Sequence, residues 1–242
     1  MIYAALLAGG TGKRMHVAGL PKQFLPLNKK CILLHTLTQF VINPYIDMVF
    51  VIVPVEWQIY TKNLLIKDND FFLHIKKIII TQGGNDRNSS LMAAVKKIDE
   101  LYTIKPNDII VTHDAVRPFV TQRIINDNIN ECYKHYAIDT VYIMNDTPII
   151  TTDGKTIQDI PLRSNIYISQ TPQTFNIQML KQIYFSLTDE EKVILTDACK
   201  MFIIKGKKVS MVMGEQYNFK ITTLFDYSMA LAFINNDIYR ND

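Results

Sequence analysis

"AALLAGGTGKRM", residues 4–15, decides how this chain is read. An apolar run breaks into two glycines, a threonine, a third glycine and two cations. The run belongs to "IYAALLA" (2–8), which reads as a buried strand. Glycines after a first parallel strand let backbone N–H groups come close to an anion. In open α/β sheets such ligands lie beyond the carboxyl ends of the strands. The loop is therefore a phosphate or nucleotide cradle, or else a plain tight turn. Two familiar cradles fail. The Walker A pattern needs glycine where Leu7 stands and Ser or Thr where Arg14 stands. The dinucleotide fingerprint, started at Gly10, needs glycine at Met15. A nicotinamide-dependent dehydrogenase loses its main support with that failure.

Outward from this stretch, β-branched runs alternate with amphipathic ones. Strands are expected over 2–8, 47–54, 75–82, 107–115, 138–144 and 208–213. Helices are expected over 31–43, 56–66, 88–102, 121–135, 175–187, 196–204 and 224–235. Such alternation predicts an α/β fold with a mostly parallel, Rossmann-like sheet covered by helices on both faces. The rhythm breaks at "PIITTDGKTIQDIPL", where Asp153-Gly154 sits between two extended runs and signals a hairpin. A β-arm protruding from the sheet is expected over about 146–163. No internal repeat or linker is visible, so residues 1–242 read as one domain.

Composition narrows the classes. The chain has 242 residues, 48% of them hydrophobic, enough for a sizeable core. Met1 is followed by a strand-like run rather than a basic leader, and no apolar run approaches bilayer length. A cytoplasmic protein is expected, without membrane partners. The net charge of +3 is small and dispersed, so nucleic acid is not an expected partner. Cys31, Cys132 and Cys199 are isolated and read as reduced, buried thiols.

Next comes "LPKQFLPL" (20–27). Pro21 fixes the backbone before Lys22, which either points back at the loop's ligand or is a solvated surface lysine. "LAGGTGKRM" followed by "PKQF" resembles the sugar- and polyol-phosphate cytidylyltransferases. "QGGNDRNSS" (82–90), "HDAVRPF" (113–119) and "QTPQTFN" (170–176) extend the resemblance in the family's order, from the first strand towards the last helix. Within the family, "LTDACK" (195–200) and "YNFKITT" (217–223) resemble the branch acting on ribitol 5-phosphate for teichoic-acid or capsule-type polymers. The other branch acts on 2-C-methyl-D-erythritol 4-phosphate in isoprenoid synthesis. Leu224 departs from the proline that relatives often carry after "TT".

The resemblance implies attack of an acceptor phosphate oxygen on the α-phosphorus of CTP, with loss of pyrophosphate. A phosphate monoester is already ionised near neutral pH, so such chemistry needs positioning and charge neutralisation rather than a catalytic triad. By resemblance, Leu7, Ala8, Gly9 and Gly10 carry the triphosphate. Arg14 and Lys22 meet the developing charge, and Lys13 assists or is merely solvated. Gly83, Gly84, Asn85, Asp86, Arg87, Asn88 and Ser90 hold the cytidine. The same stretch also reads as a helix start capped by Asn88 or Ser89. Asp114 binds CTP through Mg²⁺, or pairs with Arg117 or caps a helix, and Ala115 packs by the ribose. Arg117 and Thr171 contact the acceptor, or serve a subunit contact and a turn respectively. Arg163 and Lys220 position the attacking phosphate. His113 reads as a packed core histidine, and Asp226 as a second carboxylate near the metal or a helix cap. The acidic-aromatic "INNDIYRND" at the end reads as a fraying tail. A homodimer is expected through the arms, where Ile149, Ile150, Ile157 and Ile160 lack partners in their own sheet.

Overall fold

The computed structural model describes residues 1–10 and 19–236. Its centre is a seven-stranded sheet. The first half is β1 (Ile2–Leu7), α1 (Ile32–Val41), β4 (Met48–Ile52), α2 (Val55–Lys67), β5 (Ile78–Thr81), α4 (Arg87–Leu101) and β6 (Ile109–Asp114). A short ribbon of β2 (Pro26–Leu27) and β3 (Lys30–Cys31) precedes α1, and α3 (Asn69–Phe72) follows α2. The second half is α5 (Gln122–Cys132), β7 (Ala137–Ile143), β8 (Tyr167–Asn176), α6 (Ile177–Ser186), α7 (Asp189–Val193), α8 (Ala198–Ile204), β9 (Ser210–Met213) and α9 (Leu224–Asn235).

The strands lie in the order β5-β4-β1-β6-β8-β7-β9. The chain moves outward from β1 through β4 to β5, then returns to the other side of β1 as β6. That reversal opens a crevice beyond the carboxyl ends of β1 and β6, where open α/β sheets bind ligands. Every pairing in this sheet is parallel except those of β8, which runs antiparallel to β6 and β7. Because β8 runs backwards, its early residues lie beside the carboxyl end of β6.

Apolar residues explain both faces. β1 alternates Tyr3 and Ala5 towards one layer with Ala4 and Leu6 towards the other. The first layer packs under α4, α6 and α8 through Val95, Leu180 and Phe202. The second packs under α1 and α5 through Leu37, Phe40 and Ile125. A smaller cluster joins the β2–β3 ribbon to α9 through Leu27, Phe119, Ile221 and Ala230. Cys132 and Cys199 are buried and Cys31 is half-buried, all as free thiols. Burial pushes the Cys132 thiol up to about 12.

Three expectations change. Residues 167–176 form a ten-residue strand that apolar periodicity does not announce, so the helix expected from 175 begins at Ile177. The arm is a turn with one antiparallel bridge, Ile150 with Asp159, rather than a ladder. Gly154 supplies the left-handed φ of +68°. Around it the Asp153 carboxylate accepts from the Lys155 and Thr156 amides, both at 2.8 Å. These local bonds satisfy the backbone without cross-strand partners, so the ladder does not propagate. Finally, α4 is capped by Asp86, not by Asn88 or Ser89. Asp86 accepts from both their amides at 2.8 Å, and the Ser89 hydroxyl accepts from the Asp86 amide. The tail residues 237–242 lie outside the described part.

Candidate active site

The loops after β1, β5 and β6 converge on a cleft of about 290 Å³. Its floor is the stretch Leu7 to Gly10. Two bonds fix this floor: the Ala8 amide donates to Ile52 O, and Gln23 Nε2 donates to Ala8 O at 2.7 Å. Gln23 was not assigned a role from sequence, although it sits inside the quoted "PKQF". It lines the cleft beside Lys22, whose buried ammonium donates to Ile221 O at 3.1 Å. Arg14 and Lys13 lie outside the described residues.

One wall is the loop entering α4. Gly84, Asn85, Asp86, Arg87 and Ser90 line it. A Cβ on Gly84 would lie 2.8 Å from the Ser89 backbone carbon, so only glycine lets this loop fold onto the helix start. Ser90 braces the turn, accepting from the Gly84 amide at 3.1 Å. Gly83 sits behind it, where a Cβ would meet Ile52 at 2.8 Å. Asn88 is buried rather than lining, and its Oδ1 lacks a hydrogen-bond partner. Arg87 also keeps a buried Nη1 without one.

Asp114, the last residue of β6, is the electrostatic centre. Its carboxylate lies 3.1 Å from Arg117 Nε, 3.1 Å from Lys220 Nζ and 3.7 Å from Arg87 Nε. Burial alone would raise its pKa, but Lys220, Arg87 and Arg117 together hold the carboxyl far below the usual range. The expected Arg117 pair is thus present, within a larger cluster. Ala115 is fully buried and turned from the cleft, and Val116 lines the wall instead.

Behind Asp114 runs a directed hydrogen-bond chain. His113 Nε2 bonds Arg117 O at 3.1 Å; a carbonyl only accepts, so Nε2 carries the proton. His113 Nδ1 then accepts from the Thr171 hydroxyl at 2.9 Å, and that hydroxyl accepts from the Asp114 amide at 3.1 Å. Thr171 is buried, with its one proton directed at His113 rather than at the cleft. Burial pushes His113 down to about 3. The imidazole is therefore neutral and braces the Asp114 loop.

Arg163 stands apart from the cleft lining, exposed, with Nη1 donating to Asn145 O at 2.8 Å. Asp226 caps α9: its Oδ2 accepts from the Thr222 and Thr223 amides, both at 2.8 Å. Among the described residues no cluster of three or more His, Cys, Asp or Glu side chains could hold a metal. Asp114 is the single carboxylate on the cleft lining that a β-strand end delivers. Nor is any helix among the described residues long and apolar enough to cross a membrane.

Residues 2–236 match the family model described as IspD, 2-C-methyl-D-erythritol 4-phosphate cytidylyltransferase. The chain is 48% identical over 237 residues to a curated ribitol-5-phosphate cytidylyltransferase of Streptococcus pneumoniae, covering 98% of this chain and 100% of that protein. Its structure resembles 4-diphosphocytidyl-2C-methyl-D-erythritol synthase from Anaerococcus prevotii, with TM-score 0.78, 26% identity and coverage of 97% and 96% of the two chains. It also resembles the 2-C-methyl-D-erythritol 4-phosphate cytidylyltransferase of Francisella tularensis, with TM-score 0.76, 28% identity and coverage of 95% and 97%.

Proposed function

Because the chain belongs to the IspD family of cytidylyltransferases, we propose that it transfers the cytidylyl group of CTP to D-ribitol 5-phosphate. The products are CDP-ribitol and pyrophosphate. The observation that carries the choice of acceptor is the 48% identity over full length to the ribitol enzyme. Identity to the two solved methylerythritol enzymes is 26% and 28%.

The cleft supports this chemistry. Leu7 to Gly10 offer the triphosphate a backbone floor with no side-chain bulk at Gly9 and Gly10. Lys22 stands at that floor, and Arg14 follows it in sequence. Their charges offset those that build up on the α-phosphoryl oxygens and the leaving pyrophosphate. The α4 loop, from Gly83 to Ser90, takes the cytidine. The acceptor phosphate is held by Lys220 and Arg117 beside Asp114, and Arg163, outside the cleft lining of its own chain, is supplied by the arm of a second copy. The nucleophile is already an anion, so the neutral, buried His113 has no proton to remove.

Asp114 fits a Mg²⁺ site. A phosphate-bridging Mg²⁺ takes one or two carboxylates from protein and the rest of its oxygens from phosphates and water. Asp114, an ionised carboxylate at a strand end on the cleft lining, is one such donor, and Asp86 is the other carboxylate on that lining. Bound there, the ion would neutralise phosphate charge and fix its orientation. The enzyme works in the cytoplasm, as a homodimer through the arms, and its product feeds teichoic-acid or capsule-type polymers.

A pyrophosphate-release assay tests the reading. Purified protein with CTP and Mg²⁺ is expected to turn over ribitol 5-phosphate, to stop with excess chelator and to recover with Mg²⁺. Faster turnover of 2-C-methyl-D-erythritol 4-phosphate would replace the acceptor. Full activity in chelator would remove the metal.

A further inference from the structure

We infer that Asn218 is a positioning residue for the acceptor cation Lys220, held by a buried amide relay through Gln170 and Gly214. The inference rests on the reading of Lys220 as a ligand of the acceptor phosphate. Residues 214–222 leave β9 and reach α9 as a strap without helix or strand. Lys220 projects from this strap to within 3.1 Å of Asp114. A lysine on an irregular segment is well placed only if the backbone beneath it is fixed.

Asn218 fixes it from the inside. Its side chain is fully buried, and Nδ2 donates to Gln170 Oε1 at 3.0 Å and Thr171 O at 2.9 Å. Gln170 Nε2 in turn donates to Glu215 O at 2.9 Å. Both carbonyls can only accept, so the orientation of each amide follows. Gln170 must present its oxygen to Asn218, and Asn218 must spend both N–H groups on β8. Asn218 Oδ1 has no hydrogen-bond partner, so the side chain's polar pairing is all on the donor side. Gly214 leaves room for the relay: a Cβ there would stand 2.4 Å from Gln170 Oε1 and 2.7 Å from Thr140 Cγ2. The backbone of Asn218 adds a second role. Its carbonyl accepts from Arg117 Nη1 at 2.9 Å, so one residue sets both Lys220 and Arg117 against Asp114. Further along, Ile221 ties the strap to Val116 and to Lys22.

The test uses the full chain, with separate KM values for ribitol 5-phosphate and CTP, and a thermal melt of each variant. Asn218→Ala is expected to raise the ribitol 5-phosphate KM about tenfold, the scale of a lost buried hydrogen bond, and leave the CTP KM within about twofold. Gly214→Ala displaces Gln170 and moves the same KM in the same direction; it carries the test if Asn218→Ala does not fold. Combined with Lys220→Ala, Asn218→Ala is expected to cost less than the product of the single effects. Equal changes in both KM values, or a lower melting temperature with neither KM moved, would overturn the relay. So would an acceptor KM raised by Lys220→Ala but not by Asn218→Ala or Gly214→Ala. An acceptor KM untouched by Lys220→Ala would overturn the reading of Lys220 itself.

Discussion

A single carboxylate, Asp114, organises the cleft by collecting three cations, and the residues around it divide into those that face ligand and those that brace. Lys22 faces ligand. Lys22→Ala is expected to lower kcat by roughly 10²–10³-fold, the usual scale for losing one stabiliser of transition-state charge. Near-normal turnover of the folded variant would remove Lys22 from the chemistry. His113 braces, and its burial has a pH signature. Folded, it stays neutral down to about 3; unfolded, it takes a proton below about 6.5. The stability it contributes is present above 6.5 and lost as pH falls towards 3, at most about 1.4 kcal/mol per pH unit. Asp139 on β7 has the opposite sign. Burial, with Asp197 adding, pushes it up to about 6, against about 3.9 unfolded. Its contribution is present at acid pH and lost as pH rises through 6. The two slopes cancel between about pH 4.5 and 6. The half-buried His35, also pushed down by burial, adds a slope of His113's sign, so in that window the wild-type melting temperature is expected to fall towards acid, less steeply than without Asp139. Asp139→Asn, which keeps acceptors for Gln173 and Ser169, should steepen that fall. A fall no steeper in the variant would contradict the pairing.

At the scale of elements, the sequence announced what apolar period can announce. β1, β4, β6 and α9 stand within a residue or two of where their patterns place them, since each buries an apolar set on one or both faces. β8 escaped because most of its buried residues are polar. Gln170, Thr171, Gln173 and Thr174 are all buried in "YISQTPQTFN". They are tolerated there because they find partners: Gln173 Nε2 bonds Asp139 at 2.9 Å and Asp197 at 3.0 Å, and Thr174 bonds Asn128 at 3.2 Å. A pattern of partners is not visible along one chain. The same limit hid Asn218 and Gln170 as site residues, although the quoted "YNFKITT" and "QTPQTFN" contain them. By contrast, Asp114, Lys22 and Lys220 were legible through motif order, which survives without knowing any contact. The start of α4 offers a test at this scale. Asp86 both caps the helix and lines the cleft. Asp86→Ala is expected to cost about 1 kcal/mol in chemical denaturation and also to raise the CTP KM, because the cap shapes the loop proposed to take the cytidine. A stability loss with unchanged CTP KM would make Asp86 a cap alone.

Over the whole molecule, the core is divided between the two faces of the sheet, and little of it reaches the arm. Ile149, Ile150, Ile157, Ile160 and Leu162 each keep 47% or more of their surface exposed, and one bridge is the arm's only pairing among the described residues. An isolated two-stranded ribbon is marginal in water even with a full ladder. Arg163 extends the argument. It stands at the base of this arm, outside the cleft lining of its own chain, although the family resemblance assigns it to the acceptor phosphate. Pairing of arms about a two-fold axis would bury the isoleucines symmetrically and bring each Arg163 towards the other chain's Lys220. Ile149→Lys with Ile157→Lys is therefore expected to give monomers by light scattering. Those monomers should keep the CTP KM and lose affinity for ribitol 5-phosphate, as Arg163→Ala should in the intact dimer. A mixture of Arg163→Ala and Lys220→Ala chains separates the arrangements. If Arg163 acts across the interface, heterodimers regain one site with both cations, and mixing restores activity that neither variant has alone. If it acts within its own chain, no mixed site is complete and mixing restores nothing. A wild-type monomer at micromolar concentration would reject the arrangement before the mixing is tried.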